Sequence, residues 1–262
     1  MTTLREAALA ILLEPDPGAK ARLARALDLR LPTGAADALA EPAGIPGRPA
    51  RPALVPHTQV RSRSPATPEG RAALLHALAH IELNAIDLAA DAAWRFAGLP
   101  DGFYRDWARV AQEEALHFEL LRDHLATFGH AYGDFPAHNA LWEMAERTKH
   151  DVLARVALVP RTMEARGLDA SPAVRRKLAS AGDAAGAAII DIILRDEIGH
   201  VAIGNRWFAW LCERRGLDVV PAYAELARTH DAPRQPGPFN LPARRAAGFS
   251  EAELDALQAA AR

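Results

Sequence analysis

Four stretches of this chain carry a carboxylate within an otherwise apolar, helix-spaced stripe, and two of them add a histidine three residues on: Glu82, Glu114 with His117, Glu164, and Glu197 with His200. Positions i and i+3 are neighbours on a helix of 3.6 residues per turn, so each Glu-x-x-His pair presents both side chains on one face. The spacing constrains the fold further. Glu82 precedes Glu114 by 32 residues and Glu164 precedes Glu197 by 33, so the second half of the chain replays the first with the same element order. One Glu-x-x-His pair arises easily by accident in a chain of this composition. The repeat does not.

The surroundings of these residues predict that they point inward. Leu75, Leu78, Ala85, Ile86 and Ala89 share the face of Glu82, and Trp107, Val110, Leu121 and Phe128 share that of Glu114 and His117. Glu164 follows Leu153, Val156 and Pro160, while Glu197 and His200 align with Ile190, Ile193, Gly204, Trp207 and Leu211. Burying an isolated carboxylate costs several kcal/mol, so four of them on apolar stripes imply partners. Four carboxylates and two imidazoles on four helices form the ligand set of a dimetal carboxylate bundle, and a pair of divalent cations would neutralise them.

Half of the 262 residues are apolar, enough to bury a large core, and a net charge of −2 exerts no global pull on nucleic acid or acidic membranes. A single cysteine, Cys212, excludes an intramolecular disulfide and suits a reducing compartment. The opening MTTLREAALAILLEPDPGAK reads as an amphipathic helix and not a secretory signal, and no apolar run reads as long enough to span a membrane. The expected location is the cytoplasm, with no membrane partner.

Along the chain, the pattern predicts N-terminal helices within residues 1–30, at 3–13 and 17–28, then an extended segment over 31–68 rich in proline, glycine and arginine. Arg48, Arg51, Arg61 and Arg63 of that segment could contact phosphate, although arginines in such a coat more often pair with surface carboxylates. The bundle is expected over 69–216, with helices at 71–96, at 101–128 with Asp101 as N-cap, at 138–166 and at 183–215. Pro160 predicts a distorted turn just before Glu164, and a short helix is expected at 172–181. A helical extension fills 217–262, with helix at 220–229 and a last helix opened by Ser250 and Glu253 in capping-box spacing. His80, Asn84 and Asp87 read as a surface hydrogen-bonded patch on the first bundle helix, and Tyr104 as a structural residue.

The strings HIELNAIDLAADA, EEALHFELL, GHAYGDFPAH and RDEIGHVAIGNRWF resemble ferritin-like proteins, and in particular the bacterial family designated domain of unknown function 455, over about residues 66 to 249. The resemblance implies an all-α fold, a ferritin-like four-helix bundle with additional N- and C-terminal helices. By it, Glu82 and His117 would hold one metal, Glu164 and His200 the other, and Glu114 and Glu197 would bridge them. Glu113 and Asp196 would accept the outer N–H of a ligand histidine from the opposite half, fixing its tautomer. Two histidines resemble the oxygen-activating members of the superfamily more than storage ferritins, which typically use one.

Two ferrous ions held by carboxylates and imidazoles can keep open coordination positions and reduce dioxygen by two electrons. In a pocket lined by Trp107, Phe128, Ile193 or Trp207, that chemistry could hydroxylate, desaturate or deaminate a small or medium-sized substrate. The first expectation is therefore a di-iron oxidoreductase, with manganese or a mixed manganese–iron pair as the other metals. Electrons would come from a separate donor, since no flavin, haem or iron–sulfur motif is present. The alternatives are a metal-binding protein handling iron or peroxide without substrate chemistry, and a tRNA-modifying hydroxylase that uses the arginine segment.

Overall fold

A computed structural model describes residues 2–60 and 63–261, so Arg61 of the extended segment lies outside the described residues. Among the described residues all regular elements are helical, and the β-contact is an isolated bridge between Leu54 and Ala137. The chain divides into two compact units, Met1–Trp142 with Lys177–Ile189, and Glu143–Arg176 with Ile190–Arg262.

The first unit is built on two long helices, α3 (Pro68–Arg95) and α4 (Asp101–Ala126), which pack against each other. Two short helices join them, α1 (Leu4–Leu13) against α3 and α2 (Pro17–Arg25) against α4. Thr67 caps α3 by accepting from the Gly70 N–H, and Pro68 occupies the first turn, where its missing N–H costs nothing. Asp101, expected as an N-cap, is instead the first residue of α4 after Pro100, and its carboxylate accepts from the Thr33 hydroxyl. Arg5 is fully buried and donates to the carbonyls of Trp94, Gly34 and Asp37, fastening α1 to the end of α3. Tyr104 is a structural residue, buried, donating to the Phe96 carbonyl and accepting from the Leu99 N–H.

Two sequence expectations fail in this unit. By length and composition α3 is long and apolar enough to cross a membrane, but 72% of its apolar window is buried inside the fold, which makes it a core helix. His80, Asn84 and Asp87 are not on the surface; they are 5%, 2% and 3% exposed. Helix periodicity could not reveal the cover, which comes from α2 and the proline-rich segment. That segment is held by Gly47 N–H to the Leu12 carbonyl, Val55 N–H to the Ala137 carbonyl and Ala137 N–H to the Ala53 carbonyl. Gly47 is required there, because a Cβ would stand 2.1 Å from the Leu13 carbonyl oxygen. Lys20 from α2 pairs with Asp87, and Arg48 from the segment donates to Asn139 and Asn84.

The expected helix over 138–166 is broken. In its place are α5 (Ala140–Arg147), α6 (Val152–Leu158) and a π-helical turn, Val159–Glu164, that leads directly into α7 (Ala165–Ser180). Asp151 restarts the helix by capping the Leu153 N–H. The π turn follows from Pro160, which cannot donate to the preceding turn; the Ala165 N–H reaches back five residues to the Pro160 carbonyl, and the Thr162 hydroxyl takes the Ala157 carbonyl. The separate helix expected from Pro172 does not exist, because α7 runs through that proline. The carbonyl that Pro172 leaves without a helical donor, Leu168, accepts instead from the Asn240 side chain.

The last long helix, α8 (Ala184–Arg214), ends at Gly216, whose φ of +65° lets Leu217 N–H close on the Cys212 carbonyl. Then come α9 (Val219–Thr229), α10 (Leu241–Ala246), which the sequence pattern missed, and α11 (Glu251–Ala260). Ser250 and Glu253 form the expected capping box. Ala165, Leu168, Val201, Ala243 and Ala247 make a core cluster in the second unit. A Cβ at Gly204 would stand 2.9 Å from the Pro160 ring, so this glycine sets how closely α8 meets the π turn.

Candidate metal centre

In the first unit α3 presents Glu82, and α4 presents Glu114 and His117 one turn apart. Glu114 and His117 are fully buried and Glu82 is 4% exposed. His117 Nδ1 lies 3.3 Å from Glu82 Oε2 and 3.4 Å from Glu114 Oε2, so one imidazole nitrogen faces two carboxylates. Burial opposes a charge on this ring, but hydrogen bonds to Glu114 and Glu82 and their negative charge outweigh it and push the His117 pKa up to about 11. Two buried carboxylates around one ring call for positive charge.

In the second unit α8 presents Glu197 and fully buried His200, with His200 Nδ1 3.8 Å from Glu197 Oε1. Glu164 closes the π turn and is partly buried. Within the first unit Glu82, Glu114 and His117 are all buried, and one ligand atom from each lies within 4.8 Å of the others, a group that could hold a metal ion. The donor chemistry fits a divalent cation: the two carboxylates neutralise it, and an imidazole favours a first-row transition metal over calcium or magnesium.

Of the flanking acids, Asp196 accepts from the neighbouring Arg195 at 2.8 and 3.0 Å, and Glu113 is partly buried. Trp107, Ile193 and Trp207 are buried and Phe128 is partly so. Among the arginines of the extended segment, Arg48 is turned inward, and Arg63 lies 3.6 Å from Glu69 and over the Phe135 ring.

Sequence reasoning missed two polar clusters. One surrounds the buried Lys20–Asp87 pair. There His80 Nε2 donates to the His138 carbonyl at 3.0 Å, and its Nδ1 faces the Tyr132 hydroxyl at 2.8 Å, an arrangement that makes the ring neutral with Tyr132 donating. His76 Nε2 accepts from the Gly133 N–H at 2.9 Å. Burial pushes both histidines down to about 4. The other cluster centres on Arg161. An arginine inside the apolar run VALVPRTM is a readable signal of buried charge.

A family model described as "Protein of unknown function (DUF455)" matches residues 13–255. An uncharacterized protein of Haemophilus influenzae is 52% identical over 214 residues, covering 79% of this chain and 74% of that protein. No solved structure matches the chain.

Proposed function

We propose that this chain, which belongs to that family of proteins of unknown function, is a ferritin-like dinuclear-metal oxidoreductase, with iron as the metal, that uses dioxygen to hydroxylate or oxidise an organic substrate. The observation that supports it most is the buried convergence of Glu82, Glu114 and His117 in the first unit. In this reading, which follows the resemblance, Glu82 and His117 would hold one ion, Glu164 and His200 the other, and Glu114 and Glu197 would serve both. Bound ferrous ions would supply reducing equivalents to dioxygen at open coordination positions.

The chain's own residues set the conditions for that chemistry. The carboxylates of Glu82 and Glu114 balance cationic charge in a region from which the apolar faces of α3 and α4 exclude water. His117 shares its Nδ1 between those carboxylates, so it must give up a proton there before it ligates. The helix face fixes the i to i+3 offset of Glu114 and His117, so little ordering remains to be done on binding.

Anaerobic loading with ferrous ion, followed by mixing with oxygenated buffer, tests the proposal through oxygen uptake. The expected result is uptake stoichiometric with bound iron in the natural protein and its loss in Glu114→Ala. Bound iron that oxidises no faster than iron in buffer would overturn the oxygen chemistry and leave a metal-holding protein.

A further inference from the structure

A second site, independent of the metal reading, lies wholly within the second unit. A cavity of about 590 Å³ opens between the π turn, α9 and α11 and the stretch that joins α9 to α10. That volume is within the range of small-molecule pockets, about 300 to 1,000 Å³. Its walls are apolar and mostly small, including Val220, Ala224, Ala227 and Leu257. Its charge is one-sided: Arg161, Arg228, Arg234 and Arg244 line it, against the single carboxylate of Glu253.

Arg161 is the informative member. It is 3% exposed and packed against the rings of Phe208, Tyr223 and Phe249 at 4.5, 5.0 and 5.0 Å. Its Nε donates to Asn205 and its Nη2 to Glu253, but Nη1 is buried with no hydrogen-bond partner. Glu253 cannot serve it further, because its other oxygen accepts the Ser250 N–H and hydroxyl that cap α11. Arg244, 1% exposed, is committed to Asp169 and Gln235. A buried guanidinium with one nitrogen, and both of its N–H groups, left open is the condition a bound anion relieves.

We propose that this cavity binds an organic acid with an apolar body, its carboxylate meeting Arg161 Nη1 and its body lying along the alanine-rich walls of α9 and α11. A single open nitrogen, Nη1, on a guanidinium already paired with Glu253 matches a monoanion better than a phosphate ester.

Isothermal titration of the metal-free full chain with octanoate, decanoate and dodecanoate, beside decan-1-ol and decyl phosphate, tests this without reference to the metal site. Decanoate is expected to bind about tenfold to a hundredfold tighter than decan-1-ol, the loss typical of a charge-assisted hydrogen bond. Decyl phosphate should bind more weakly than decanoate. Ala227→Trp, which fills the cavity, should abolish binding with the far-UV circular dichroism spectrum unchanged, and Arg161→Gln should erase the preference for acid over alcohol. No binding by any acid, equal affinity for acid and alcohol, tighter binding of the phosphate, or undiminished binding by Ala227→Trp would each overturn the proposal.

Discussion

Replacing Lys20 with methionine probes a deeply buried ion pair of the first unit. The Lys20 and Asp87 side chains are 2% and 4% exposed, and the ammonium also donates to the Gly47 carbonyl at 3.0 Å, tying α2, α3 and the proline-rich segment together. Removing one partner of such a pair costs about 3–5 kcal/mol, because the remaining charge stays buried, whereas an exposed pair is worth less than about 1 kcal/mol. Asp87 also gives the pH dependence. Burial raises its pKa, while the charge and hydrogen bond of Lys20 pull it down, so losing Lys20 raises it further. A carboxyl whose folded pKa lies above its unfolded value contributes stability that is fully present below the unfolded pKa and lost as pH rises through the folded pKa. Lys20→Met should therefore cost more at pH 8 than at pH 5, measured against the natural protein at the same pH by urea unfolding followed by circular dichroism. Adding Asp87→Asn should recover a large part of the loss, with a coupling of about 2 kcal/mol or more. A Lys20→Met cost below about 1 kcal/mol, or costs additive within about 0.5 kcal/mol in the double variant, would refute the reasoning.

Acid should destabilise the first unit early: His76 and His80 are held neutral down to about 4, so as pH falls from about 6.5 toward 4 the unfolded chain takes up protons that the native one refuses, at about 1.4 kcal/mol per pH unit for each ring. Unfolding midpoints that stay flat over that window would contradict it, and a His76→Phe/His80→Gln variant should flatten them. Gly204→Ala should cost about 1–3 kcal/mol by pressing a methyl group into the Pro160 ring, detectable as a lowered thermal midpoint; an unchanged midpoint would mean that the π turn yields freely. Substituting Glu113 or Asp196 by alanine should weaken metal binding by only about tenfold to a hundredfold, whereas Glu82→Ala or His117→Ala should abolish it; equal losses at all four positions would undo the assignment of ligands.

The helical character and the buried cluster were legible because both rest on one periodicity. A carboxylate in register with Leu75, Ile86 and Ala89 has to enter the core wherever that stripe is buried, and Glu114 and His117 share a face by geometry alone. What the sequence concealed depends on contacts between distant segments. His80, Asn84 and Asp87 lie on a polar face that looks solvated until Lys20 and Arg48, brought in from 67 and 36 residues away, cover it. The rule that proline ends a helix failed at Pro172 because the Asn240 side chain, far along the chain, takes the freed carbonyl. At Pro160 the distortion was legible but its form was not, since a π turn and a simple kink follow from the same missing donor. Short α10 has too few residues to show a period.

The central claim is that the buried glutamates and histidines hold metal, and elemental analysis tests it most directly. Protein purified without chelators and then titrated anaerobically with ferrous ion should carry two metal ions per chain, and Glu114→Ala, folded by circular dichroism, should carry none. A natural protein that binds no metal after loading, or a Glu114→Ala variant that binds as much as the natural one, would contradict the account.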